Sequence, residues 1–145
     1  MKLPFLATLL IATITIAGCA GGSKVVRSEY AYGCPAGADK IYSKEDLIKA
    51  KVEPAGSLHN IEVVDLRCAT RAGLLRIDVD MRNESREERR VAYRLRWLDK
   101  DGMRAWDDES WKPLLINGNT LYTVTASSPS QDATDFRVVI MDQDK

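Results

Sequence analysis

Leu75-Arg76-Ile77-Asp78-Val79-Asp80-Met81-Arg82 alternates apolar and charged residues without a break. Successive side chains of a β-strand point to opposite faces, so Leu75, Ile77, Val79 and Met81 share one face and the charges share the other. The stretch therefore reads as a strand with one face on a core and one in water. Downstream, Val91, Tyr93, Leu95 and Trp97 repeat the pattern against Arg94 and Arg96, and Phe136, Val138 and Ile140 repeat it near the end of the chain. Upstream, Ile61 to Arg67 alternates imperfectly, because Val63 and Val64 are both apolar, which suggests a bulge or a strand covered on both faces. Met103 to Trp106, Trp111 to Ile116 and Leu121 to Ala126 are shorter strand candidates.

Turn chemistry separates these runs: Thr70 to Gly73, Asn83 to Arg90, Asp99-Lys100-Asp101-Gly102, Asn117-Gly118-Asn119, and Ser127 to Asp135 with Pro129. Glycine and asparagine supply the positive φ angles that tight hairpins need. About seven short strands with no helical pattern between them predict an all-β fold, an immunoglobulin-like antiparallel β-sandwich over residues 58–145. A small closed barrel is the structural alternative.

The other end of the chain has a different character. Lys2 is the only charge before Lys24, and Leu3 to Ile16 is an apolar run interrupted by Pro4 and threonines. It is too short to span a bilayer and has the layout of a secretory signal over residues 1–18. It ends in Ile16-Ala17-Gly18-Cys19, which resembles a lipobox, with Cys19 as the thiol that receives diacylglycerol. At about 0.8 kcal/mol per buried methylene, two or three acyl chains hold a protein to a membrane essentially permanently. Ala20 follows the cysteine, where inner-membrane lipoproteins commonly carry aspartate, so the expected address is the periplasmic face of the outer membrane. With Cys19 lipidated, Cys34 and Cys68 remain as an even pair in an oxidising compartment. A disulfide between them closes a long loop, worth on the order of 3–4 kcal/mol. Two unpaired thiols, one of them buried, are the alternative.

Residues 19–57 read as a lipidated N-terminus and linker, rich in Gly, Ala, Ser and charge. Within them Ser43 can cap a short helix through Ala50, its first turn acidic and its end set by Pro54 and Gly56. Such a linker has a root-mean-square reach of roughly 30–35 Å.

The 145 residues carry 21 basic and 21 acidic side chains, so no field of one sign attracts nucleic acid. His59 is the single histidine, and neither Cys34 nor Cys68 has a histidine near it in sequence, so a nucleophile lacks its base. No enzyme, metal or small-molecule cofactor is expected. Asp99-Lys100-Asp101-Gly102 opens like a calcium loop, but Arg104 and Ser110 stand where glycine and a bidentate glutamate belong, so it reads as a hairpin turn. Asp107, Asp108 and Glu109 remain a group that could collect a weak cation with Asp101. Trp106 and Trp111 flank this acidic stretch. Core packing is the commoner fate of such indoles; if exposed, they and Asp108 form a candidate interaction surface.

Tyr93-Arg94-Leu95-Arg96-Trp97-Leu98-Asp99-Lys100-Asp101-Gly102, then Trp111-Lys112-Pro113-Leu114, Gly118 and Asp135-Phe136-Arg137-Val138, resemble the YcfL-type predicted periplasmic lipoproteins. The resemblance spans Ile61 to Ile140 and implies a β-sandwich of unknown function in the Gram-negative envelope, with no catalytic residue to carry over. The expected function is accordingly a non-catalytic adaptor, held to the membrane through Cys19, that presents an edge strand or the Trp106 to Trp111 loop to a periplasmic protein. An envelope glycan-binding module is the alternative; a hydrolase ranks last.

Overall fold

The structure, a computed structural model, describes residues 30–31, 34–35 and 43–144. The expected signal segment 1–18 and the expected lipidation site Cys19 lie outside the described residues. In chain order the elements are β1 (Tyr30–Ala31), β2 (Cys34–Pro35), α1 (Lys44–Lys51), β3 (Val52–Pro54), β4 (Ile61–Arg71), β5 (Leu74–Asn83), β6 (Arg89–Leu98), β7 (Lys112–Ile116), β8 (Leu121–Ser127) and β9 (Asp135–Asp142).

The period-two stretches become the long strands. In β5, Leu75, Ile77, Val79 and Met81 are buried, and in β6 Val91, Leu95 and Trp97 join them. β4 and β5 form an antiparallel hairpin whose register shifts between Val63 and Asp65, so the doubled valine marks a bulge. The hairpin closes through Ala72 (φ 51°) and Gly73 (φ 79°), the two successive positive angles of a turn whose twist matches that of the strands.

Seven strands pack as two sheets, ordered β3-β9-β6-β7 and β4-β5-β8, the immunoglobulin-like sandwich that the alternation implies; β1 and β2 form a separate small hairpin. Trp97 and Phe136, fully buried with ring centroids 6.3 Å apart, fill the space between the sheets.

Three details differ from the sequence reading. Residues ahead of position 58 pack on the sandwich: the Ser43 side chain accepts from Asp46 N, α1 follows, and Leu47 and Lys51 are fully buried. Lys51 Nζ lies 3.0 Å from Asp135 Oδ1 in β9, so a cation that reads as linker composition is a buried half of an ion pair. Second, β3 runs parallel to β9, the one departure from antiparallel pairing in the sandwich. Third, Met103 to Trp106 is not a strand. Asp99 Oδ1 accepts from the backbone N–H groups of Asp101 and Met103, curling the chain, and a single bridge, Leu98 to Arg104, remains of the expected ladder.

Asn83 joins the strands at one end of the molecule. Fully buried, it donates through Nδ2 to the carbonyls of Glu87 (2.7 Å) and Ile116 (2.9 Å) and accepts at Oδ1 from the N–H and hydroxyl of Ser85. Beside it, a Cβ on Gly118 would overlap the carbonyl oxygen of Arg86, so only glycine lets these two turns touch.

Candidate functional site

The alternation of β6 sends Arg94 and Arg96 away from the core, onto the outer face of the four-stranded sheet. Arg137 of β9 stands opposite Arg96 in register, and Glu53 of β3 reaches across from the next strand. Glu53 Oε2 accepts from Arg96 Nη1 at 3.0 Å, and its Oε1 lies 3.8 Å from Arg137 Nε. Arg137 Nη1 also donates to Asp135 Oδ2 at 3.0 Å, on the carboxylate that meets Lys51.

The loop 99–111 folds back over this face. Its Asp108 carboxylate lies 3.7 Å from each of Arg94, Arg96 and Arg104. These are ion-pair distances beyond hydrogen-bond reach, and Asp108 Oδ1 and Arg94 Nε are buried with no hydrogen-bond partner. Three guanidinium groups therefore share one carboxylate. The Arg94 guanidinium also lies 4.8 Å from the centre of the Trp111 ring, a cation–π contact.

The loop is held at both ends. At its start, Asp99 N donates to Met103 O, Gly102 N to Asp99 O, and Ala105 N to Trp97 O. At its end, Glu109 accepts from the indole N–H of the buried Trp97 at 2.8 Å and pairs with Lys112. The large apolar side chains between these anchors are exposed, Met103 66%, Trp106 51% and Trp111 37%, while Ala105 packs against the core. A shallow depression lined by Arg104, Ala105, Trp106 and Asp107 lies beside them.

Trp106 and Trp111 are exposed, Trp111 lies against Arg94, and Asp108 meets the arginines of the outer face. Asp101, Asp107, Asp108 and Glu109 do not converge on a cation: Asp101 pairs with Lys100, Asp108 with the arginines, and Glu109 with Trp97 and Lys112. Among the described residues no group of three or more His, Cys, Asp or Glu is placed to hold a metal ion. His59 Nδ1 lies 3.2 Å from Asp142 Oδ2, whose pKa burial raises; the opposing N–H donors of His59 and Asp144 and the His59 ring bring it below the usual range. Cys34 and Cys68 are joined by a disulfide that ties β2 to β4. The arginines around Asp108 are what the sequence reading missed. Arg94 and Arg96 show there as a polar strand face, but nothing local says that a loop carboxylate returns to them.

The solved structure of Campylobacter jejuni cj0090 is similar over 64% of this chain and 98% of its own length, with 26% identity and a TM-score of 0.57. A DUF1425 family member from Shewanella sp. pv-4 is similar over 59% of this chain and 81% of its own, with 30% identity and a TM-score of 0.52. No curated protein matches the chain. Residues 47–142 match the family described as "Protein of unknown function (DUF1425)". That span runs from Leu47 in α1 to the end of β9 and holds the whole arginine and tryptophan surface; the chain belongs to the DUF1425 family, a domain of unknown function of the YcfL type.

Proposed function

We propose that this protein is a non-catalytic interaction module of the Gram-negative envelope, held by lipid on Cys19 to the periplasmic face of the outer membrane, and that its loop 99–111 is the contact surface for a periplasmic protein. The lipobox Ile16-Ala17-Gly18-Cys19 supports the address. The observation that carries the role is the presentation of Met103, Trp106 and Trp111 to solvent on a loop pinned by Asp99, Asp108 and Glu109. Exposed aromatics on a preordered loop suit binding, since the ordering cost is met before the partner arrives. Tryptophan, methionine and arginine are the side chains that interface centres favour.

Photoreactive groups placed at positions 103, 106 and 111 of the full chain in living cells test the proposal. The expected result is capture of a single envelope protein, with Trp106→Ala lowering capture by at least about tenfold while unfolding free energy changes by less than about 0.5 kcal/mol. Capture of no protein from any of the three positions overturns it. Exposure of both indoles also supports a second reading, stacking of envelope glycan on Trp106; quenching of its fluorescence by purified glycan distinguishes that reading.

A further inference from the structure

Sheet edges with unpaired backbone groups attract further strands, and proteins blunt them with charge, proline, brevity or cover. Three of the four edges here are treated in this way. β3 is three residues long and ends in Pro54. β4 is flanked by α1 and tied to β2 through Cys34–Cys68. β7 carries Lys112 and Pro113. β8 is the exception: Leu121-Tyr122-Thr123-Val124-Thr125-Ala126-Ser127 has no charge and no proline, is rich in β-branched residues, and among the described residues pairs along its whole length with β5 alone.

The backbone of β8 has a defined alternation. Asn83 N donates to Thr120 O at 3.0 Å, and Ser128 N donates to Leu75 O at 2.7 Å, bracketing an unbroken antiparallel register. Hydrogen-bonded pairs alternate along such a ladder. Tyr122, Val124 and Ala126 therefore bond to β5, whereas Leu121, Thr123, Thr125 and Ser127 direct their N–H and C=O groups toward the open edge. Leu121 and Tyr122 are 51% and 44% exposed on this strand.

We propose that β8 is a self-association edge, which pairs antiparallel with β8 of a second copy of this chain about a two-fold axis at Val124. That register pairs the full strand and leaves no large group opposed by another large one. Leu121 faces Ser127 of the second copy, Tyr122 faces Ala126, and the outward-directed backbones of Thr123 and Thr125 bond to each other. The hydroxyls of Thr123 and Thr125 already donate to Asp80 and Asp78 of β5, and an uncharged strand meets its own copy without opposing like charges. The two three-stranded sheets become one continuous sheet, and the flank carrying Cys34 stays free. Loop 99–111 belongs to the other sheet, so this association is independent of its role as a contact surface.

The test uses the full lipidated chain in detergent. Light scattering is expected to report two copies per particle, and Thr123→Lys/Thr125→Lys, which places like charges opposite one another across the shared edge, is expected to return one. Val124→Cys reports the register: Cα atoms of a non-hydrogen-bonded antiparallel pair lie about 4.5 Å apart, within disulfide reach. Oxidation is expected to trap a dimer of Val124→Cys on a non-reducing gel, and the double lysine variant in that background is expected to abolish the band. A single copy of the unsubstituted chain at its highest soluble concentration overturns the proposal. So does a dimer that the lysines leave intact.

Discussion

The two flanks of the sandwich are finished in opposite ways. On the flank where β3 and β4 end their sheets, α1 packs against β3, β4 and β9, Leu47 and Lys51 are fully buried, and Cys34–Cys68 binds the incoming chain to β4. On the flank of β7 and β8, Ile116 and Val124 are buried but other large apolar side chains stay in solvent, with Leu115 48%, Leu121 51% and Tyr122 44% exposed. The same two sheets thus have one side closed by ionic and covalent means and another left bare. Buried ion pairing and covalent closure are concentrated where the chain enters the domain, and exposed apolar side chains where it does not.

The largest test of this contrast is Asp135→Ala. It removes the carboxylate that pairs with Lys51, a fully buried cation, and breaking a buried pair in this way costs about 3–5 kcal/mol. Urea unfolding is expected to show that loss, whereas Leu121→Ser on the bare flank is expected to shift unfolding by no more than about 0.5 kcal/mol. Equal losses from the two variants would erase the distinction between the flanks.

Next in size is Cys68→Ser. The disulfide closes a loop with a sequence separation of 34, for which chain entropy predicts about 3–4 kcal/mol. A reducing agent is expected to lower the melting temperature of the unsubstituted chain to that of the variant and to leave the variant unchanged. A further fall in the reduced variant would show that reduction acts elsewhere.

The smallest effect concerns the outer face that connects the closed flank to the bare one. Arg67 of β4 grips Asp80 of β5 through two hydrogen bonds, 2.6 and 3.1 Å, and Asp80 accepts in turn from Thr123 of β8 at 2.6 Å. The Arg67 hydrogen bonds hold the Asp80 carboxyl below its ordinary value against the opposing effect of burial, with Thr123 assisting. Because the folded pKa is the lower one, this contribution is complete above the ordinary value near 3.8 and is lost as pH falls through it toward the folded value. Asp80→Asn is expected to flatten the acid limb of a stability–pH profile, leaving the slope that Asp142, also lowered, contributes. An unchanged acid limb would remove Asp80 from the account.

Legibility followed the range of the interaction. Strands β5, β6 and β9 show in the sequence because alternation is written within each of them, β4 shows through an imperfect alternation, β7 and β8 show as shorter apolar runs between turns, and the first hairpin turn shows through Gly73. β3 does not show, since three residues carry no period and its pairing is supplied by Val138 to Ile140 of β9. Met103 to Trp106 has strand-like composition, but Asp99 bonds the backbone ahead of it and turns it into a loop. At the site, the sequence singled out Trp106, Asp108 and Trp111 as candidates, but not Arg94, Arg96 and Arg104 as the partners of Asp108.

The sequence by itself determined which residues face a core and where the chain turns, because period and turn chemistry are properties of neighbouring residues. Tertiary structure alone decided which edges stay open, that Lys51 is buried against Asp135, and that three arginines share Asp108. Those outcomes depend on sheet order and on how a loop lies across a finished sheet, and both arise from pairings between residues far apart in the chain.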